Sequence, residues 1–439
     1  MSTPADSRHS WNSRPTPVDD VRDRRLLAWV GAGLLAGGMP VHEVEEDVRD
    51  VARALGHTGT QVACSPTGLM VSLRSGDAST FEQVDGGLRL DQLADVLALQ
   101  VGLRTGRTTP EAGLKQLARL RAQPHRYRTV GFVAGAMLSG VGIGLILAPS
   151  LATFLFTVAV AALTPVFVRL GSRGSALRTL TPFVAGLVVA LLAFLAADQG
   201  WLDAPLRSLV APIAVLLPGA LIVTGLTELA AGAMVAGSSR LAFGLVQLLL
   251  FVLGVGAALA VVGGPAVLLD TSAPEGPGWW APLLGLAVVT VAIALLESVP
   301  VRQAPWLAAA ILATFTAQAL TVAVVDTRWA GAFVGAVVAA LLSTLLEYVR
   351  PELPRMVTFL PSFWLLVPGS LGLISLAQFE VGAGEAATAL ADVVVVVAAI
   401  ALGVIVGAAL AAPLRRLARQ LGLPHLRRLM TTRRRRSQA

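Results

Sequence analysis

The chain has 439 residues, 55% of them apolar and 14% charged, against roughly a quarter charged in ordinary globular domains. Between Val130 and Pro413, 284 residues carry 9 Arg and 12 acidic side chains, only 21 of the 61 charges. A soluble enzyme cannot hide so long a charge-poor stretch, whereas stacked membrane spans of about 20 residues each require it. The net charge of +7 does not argue for nucleic acid, because nine Arg follow Pro413 and most of the others lie in the first 128 residues or in short loops. That placement is the positive-inside bias of a membrane protein. A single Cys64 excludes a disulfide framework and a Cys-based zinc cluster, and no metal or cofactor is expected.

In chain order, residues 1–24 are polar and rich in Ser, Pro and Asp, and read as a disordered tail. They lack the apolar run of a signal peptide, so the amino terminus is expected to stay in the cytoplasm. Residues 25–125 read as a small cytoplasmic α+β domain. From Leu26 to Leu55 the spacing is helical, with Val41, Val44, Val48, Val51 and Leu55 on one face, and Gly37, Gly38 and Pro40 divide it into two helices. After a break at Gly56–Gly59, Thr60–Ala63 and Leu69–Leu73 read as short strands forming a hairpin or bent ribbon around Pro66–Gly68. Leu88–Leu103 and Pro110–Arg121 return to helical spacing, with Pro110 in a first turn and Thr108 or Thr109 as cap.

Ten apolar spans follow: Val130–Leu147, Leu151–Val168, Leu180–Ala197, Leu209–Ala236, Leu241–Val262, Trp279–Leu296, Pro305–Val325, Trp329–Glu347, Val357–Phe379 and Ala386–Ala412. The predicted fold is therefore a polytopic all-α membrane protein behind a small α+β domain, with modules at 126–268 and 279–414. Alternate loops assigned to the inside carry Arg169, Arg173, Arg178, Arg240, Arg302, Arg350 and Arg355, and those outside only Arg207 and Arg328. Both termini inside fits this distribution, and a shift of one span scrambles it. Residues 415–439 form a basic amphipathic tail, with Leu414, Leu417 and Leu421 on one face, suited to the inner lipid surface.

A shift of 150 residues places Phe183, Val184, Val188, Ala190, Leu191 and Leu192 on identical residues from Phe333 to Leu342, Pro218-Gly219 on Pro368-Gly369, and Glu228 on Gln378. Spans three and four thus map on eight and nine. An odd separation of five spans inverts the second copy, giving two inverted five-helix repeats, the architecture of many secondary transporters.

Within the repeat, Pro218 removes a backbone donor and Gly219 lets the chain bend, so the fourth span is expected to break there, and the ninth at Pro368-Gly369. Exposed amide and carbonyl groups at such breaks suit a zwitterion such as an amino acid. A packing kink without a ligand is the plain alternative. Glu228, well inside a span, is the expected proton site, because a carboxylate there is costly unless it is protonated or paired. The alternatives are snorkelling to the interface or pairing with Arg240. Thr224 and Thr227 could line the same face or bond back to their own helix. Ser370 and Gln378 offer polar groups in the second copy, while Asp392, Glu297 and Glu347, near span ends, are expected to be solvated.

In the soluble domain, His42-Glu43-Val44-Glu45-Glu46 begins like a zinc-protease helix but has Glu46 where the second His belongs. No G-x-S-x-G elbow is present, and Lys115, the only Lys, has no phosphate loop around it. Ser65, Thr67, His57 and Glu45 could converge only as an incomplete catalytic set.

The runs Leu34-Leu35-Ala36-Gly37-Gly38, Val44-Glu45, Ala54-Leu55-Gly56 and Pro66-Thr67-Gly68, followed by Pro218-Gly219 and Glu228, resemble the threonine/serine exporter family. Val367-Pro368-Gly369-Ser370 resembles that family's second membrane module. The resemblance runs from about Arg25 to Pro413. It implies a proton-motive-force-driven exporter of threonine and serine in the inner membrane, with a cytoplasmic amino-terminal domain and ten spans; no enzyme is expected, for want of a complete catalytic set, and the alternatives are a dicarboxylate exporter or a membrane-anchored hydrolase-like enzyme using the amino-terminal domain. Some relatives split the modules between two proteins, one such pair being associated with succinate export, and the soluble domain has been likened to a hydrolase. The implied partners are the small-molecule substrate, protons and membrane lipids, with no nucleic acid, and a homo-oligomer is left open. The preference for Arg over Lys resembles proteins of GC-rich actinobacteria.

Overall fold

The computed structural model describes residues 17–147, 150–172, 174–202, 205–263, 278, 280–350, 353–366 and 383–420. They divide into two compact units, residues 1–88 with 95–123, and residues 89–94 with 124–439.

The smaller unit opens with α1 (Pro17–Ala36) and α2 (Val41–Ala54). The α1 helix starts nine residues ahead of the sequence reading. Pro17 is preset for a first helical turn, Asp19 and Asp20 sit at the positive end of the helix, and Asp23 is held by His57 at 3.1 Å. Three antiparallel strands follow in the order β1 (Gln61–Ser65), β2 (Gly68–Ser72), β3 (Ser79–Gln83), with Val62 opposite Val71 and Met70 opposite Phe81. The third strand is absent from the sequence reading because Ser-Thr-Phe-Glu-Gln has no apolar alternation; β2 supplies its pairing. After α3 (Leu90–Arg104) comes α4 (Pro110–Arg121), capped by Thr109, whose hydroxyl accepts the Ala112 amide. Leu27, Val30 and Leu34 of α1, Val44, Val48 and Val51 of α2, and Leu69 and Val71 of β2 are fully buried and make the core.

The larger unit is helical throughout its described residues: α5 (Arg128–Leu147), α6 (Leu151–Ala161), α7 (Thr164–Gly171), α8 (Ser175–Asp198), α9 (Pro205–Ile213), α10 (Gly219–Ala230), α11 (Met234–Val262), α12 (Trp280–Leu296), α13 (Ala304–Val325), α14 (Arg328–Val349), α15 (Arg355–Leu366) and α16 (Ala383–Gln420). Among the described residues, six helices are long and apolar enough to cross a membrane, and eight segments qualify if each of two bent pairs counts as one span. One bent pair is α6 with α7, turned by 40° where the sequence suggested a continuous span. Pro165, in the first turn of α7, explains the interruption. On α11, Phe243, Val246, Leu249 and Leu253 are each more than half exposed. An apolar face turned outward in this way suits lipid, not water.

Small residues bring the helices of this unit into backbone contact. A Cβ built on Gly254 of α11 would meet the carbonyl of Phe183 on α8, and one on Gly403 of α16 the carbonyl of Phe333 on α14. Phe183 and Phe333 lie 150 residues apart in the sequence. Between α5 and α12, a Cβ on Gly135 would lie 2.9 Å from the Ala292 oxygen, and one on Gly142 2.9 Å from the Gly285 oxygen. Numbers rise along one helix as they fall along the other, so the two helices run antiparallel.

Candidate functional site

The fourth expected span is broken. After α9 the chain tightens into a 3-10 turn at Ala214–Leu216, Leu217 takes an extended conformation, and α10 restarts at Gly219, bent by 64° from the preceding segment. The cause is Pro218, which has no amide to donate into a preceding turn and whose ring excludes the helical conformation at Leu217. Pro218 and Gly219 are buried, so this backbone is sheltered by protein.

A cavity of about 420 Å³ lies beside the break. The chain ahead of α12 contributes Ser139 of α5, Val210 of α9, and Leu217 and Ala220, which flank the bend. The chain from α12 onward contributes Ile293, Glu297, Phe315 of α13 and Trp364 of α15. Most of the wall is aliphatic or aromatic, with few polar groups to orient a ligand. Ala220 lies in the first turn of α10, where amides lack partners within their own helix and the dipole favours negative charge. The Ser139 hydroxyl donates to the Ala136 carbonyl at 2.7 Å.

Glu297, expected to be solvated, is instead partly buried and lines the cavity just past the end of α12. Its Oε2 accepts the Leu90 amide at 3.2 Å. Burial pushes its carboxyl up to about 7; Asp91 adds to the rise, while the Leu90 amide and Arg89 oppose it. Its sequence neighbourhood, Leu295-Leu296 before and Ser298-Val299-Pro300 after, carries the one available signal, a carboxylate without an adjacent base. The other two expected surface carboxylates divide: Asp392 is exposed, and Glu347 accepts the Arg355 amide at 3.1 Å.

Glu228 is fully buried on α10 and forms an ion pair with Arg240 of α11, Oε2 to Nε 3.1 Å. This is the pairing alternative that its sequence position had left open. Close contact of the two helices makes it feasible, since a Cβ on Gly225 would lie 2.8 Å from the Gly237 oxygen. Thr227 donates back to the Val223 carbonyl at 2.9 Å, and Thr224 is partly buried on the same helix. Pro368, Gly369, Ser370 and Gln378 lie outside the described residues.

In the smaller unit the suggested catalytic residues do not assemble. Ser65 and Thr67 hydroxyls lie 3.2 Å apart, but His57 is engaged by Asp23. Glu45 accepts the Cys64 amide and pairs with Arg49. Burial, with Glu45 adding and Arg49 opposing, pushes the Cys64 thiol up to about 12, which keeps it from acting as a thiolate nucleophile at neutral pH.

A family model described as "putative threonine/serine exporter" matches residues 25–262, from α1 to the last residue of α11. Neither a curated protein nor a solved structure matches the chain. The family match takes in more than half of the sequence, and the chain belongs to the threonine/serine exporter family.

Proposed function

We propose that this protein is a secondary exporter of threonine, serine and similar small amino acids, driven by the proton motive force and working by alternating access. In this reading it sits in the inner membrane with both termini cytoplasmic, and its ten spans form two inverted five-helix modules. The observation that carries the proposal is the cavity, walled from both sides of residue 264 and bordered by a broken helix. Transporters built from inverted repeats hold their substrates at such a place, where half-helix ends meet the polar parts of the ligand.

The α5–α12 contact supports the inversion. The repeat equates Gly135 with Gly285 and Gly142 with Ala292, so the contacts Gly135–Ala292 and Gly142–Gly285 exchange under the same relation. A two-fold axis perpendicular to two antiparallel helices produces that reciprocity; an axis along the membrane normal would pair parallel helices. The ten-span count further draws on α12, with 17 residues, and on α15, whose continuation is not described. Pro218 and Gly219 shape the first substrate-binding break, and Pro368, Gly369, Ser370 and Gln378 are assigned to its counterpart. Glu228 joins the proton pathway, with Thr224 and Thr227 beside it.

The test is reconstitution of the full chain in liposomes loaded with labelled threonine, serine or succinate. Efflux of the two amino acids, accelerated at least tenfold by an imposed proton gradient and indifferent to excess succinate, is expected. Efflux of succinate alone, or of none of the three, removes the proposal.

A further inference from the structure

The carboxylate that faces the cavity is not Glu228. Among the described residues lining it, Glu297 is the one titratable group. Glu297 also sits on a corner built with unusual care. The next residue, Ser298, is fully buried and held at φ 58°, a left-handed conformation that residues with side chains rarely adopt. Four contacts over-determine that corner: His125 Nε2 lies 3.1 Å from the Leu296 carbonyl, the Arg126 amide donates to Ser298 Oγ, the Tyr127 hydroxyl donates to the Val299 carbonyl at 2.7 Å, and the Leu90 amide donates to Glu297 itself. Backbone held away from its preferred conformation beside a cavity carboxylate points to a position fixed for use.

Resting on the exporter reading, we propose that Glu297 is the site at which a proton and the ammonium group of the transported amino acid exclude one another. An apolar cavity penalises a bare carboxylate, and either a proton or an ammonium group relieves that penalty. The two cannot be held together at one carboxylate. When the ammonium group arrives, the carboxyl proton leaves to water, and when the amino acid departs a proton returns. Such exclusion is sufficient to couple export to proton entry once access alternates. Among the described residues, the charged and titratable groups around the carboxyl are Arg89 and Asp91 at the start of α3 and His125, Arg126 and Tyr127 ahead of α5. The cavity-lining residues of α5, α9, α10, α13 and α15 contribute none. With its carboxyl near pH 7, Glu297 changes charge within the range a cell maintains.

The experiment uses the purified full chain in lipid nanodiscs, with labelled threonine binding and proton release followed from pH 5.5 to 8.5. Wild-type affinity should fall up to tenfold for each pH unit below about 7, with about one proton released per threonine bound at pH 6. N-acetylthreonine, which has no ammonium group, should not compete. Glu297→Gln should bind at least tenfold more weakly, with no pH dependence and no proton release. Glu297→Asp should keep the release at a displaced midpoint. Folding is followed separately. Because the folded carboxyl titrates above its ordinary value of 4.5, ionisation costs the wild type stability as pH rises from there to about 7. Glu297→Gln should therefore melt above the wild type at pH 8 and level with it near pH 4.5. Wild-type binding and release in Glu297→Gln, or an undisplaced midpoint in Glu297→Asp, overturns the assignment and leaves the exporter reading standing. A wild type that binds neither threonine nor serine overturns both.

Discussion

Glu228 and Arg240 share a site from which water is almost absent, with side-chain exposures of 0% and 9%. Each charge there depends on the other, because removing one partner of a buried pair costs about 3–5 kcal/mol, far more than the intact pair contributes. Glu228→Gln should therefore lower the thermal stability of the solubilised protein sharply, and Glu228→Gln with Arg240→Gln should restore most of it. Transport by the double variant then separates two roles. Recovery of proton-coupled efflux makes the pair structural, and continued loss keeps Glu228 in the proton pathway. At this scale the sequence was legible where a residue is anomalous in its own segment. Glu228 stands out in an apolar run, and Arg240 is its nearest opposite charge in the chain. Glu297 was not legible, since a carboxylate at a span end looks solvated until the packing of Arg126 to Tyr127 and of residues 89–94 around it is known.

The break between α9 and α10 has a local cause that one substitution can remove. Pro218→Ala returns an amide donor and lets Leu217 enter helical conformation, so the 64° bend should relax. Transport is expected to fall at least tenfold, with stability lowered by about 1–2 kcal/mol, because Pro218 is buried and two ring methylenes are lost at about 0.8 kcal/mol each. Undiminished transport would mean the bend serves packing alone. Pro-Gly inside an apolar run made this break readable. The 40° turn between α6 and α7 escaped, although Pro165 was in view, because a proline in a first turn leaves no gap in the apolar run. In the smaller unit the helices and the first two strands declared themselves by periodicity and turn residues. The strand Ser79–Gln83 did not, since its partner β2 and not its own composition holds it extended.

For the molecule as a whole, the inverted reading makes repeat-related positions face opposite sides of the membrane. Gly200 and Arg350 are such a pair, and both are exposed loop residues. In a Cys64→Ser background, a cysteine at Gly200 should react with an impermeant maleimide in intact cells, and one at Arg350 only after permeabilisation. Asp326 should behave like Gly200, and Val301, 75% exposed, like Arg350. Labelling of Gly200 and Arg350 from the same side would exclude the inversion. Charge counting and a 150-residue self-alignment are the sequence features from which this reading is drawn. The cavity was beyond them, because its wall is assembled from helices far apart in the chain and mostly carries side chains typical of any membrane interior.

The reciprocal seam between α5 and α12 carries a historical consequence. Gly135 against Ala292, answered by Gly142 against Gly285, is how the protomers of a homodimer meet across a diad. A half-length ancestor pairing with its own copy would have made the same seam with identical halves. On the inverted reading, fusion would free those halves from identity, which accommodates Glu228 in one where the other has Gln378, with small residues at Gly135, Gly142, Gly285 and Ala292 along the seam.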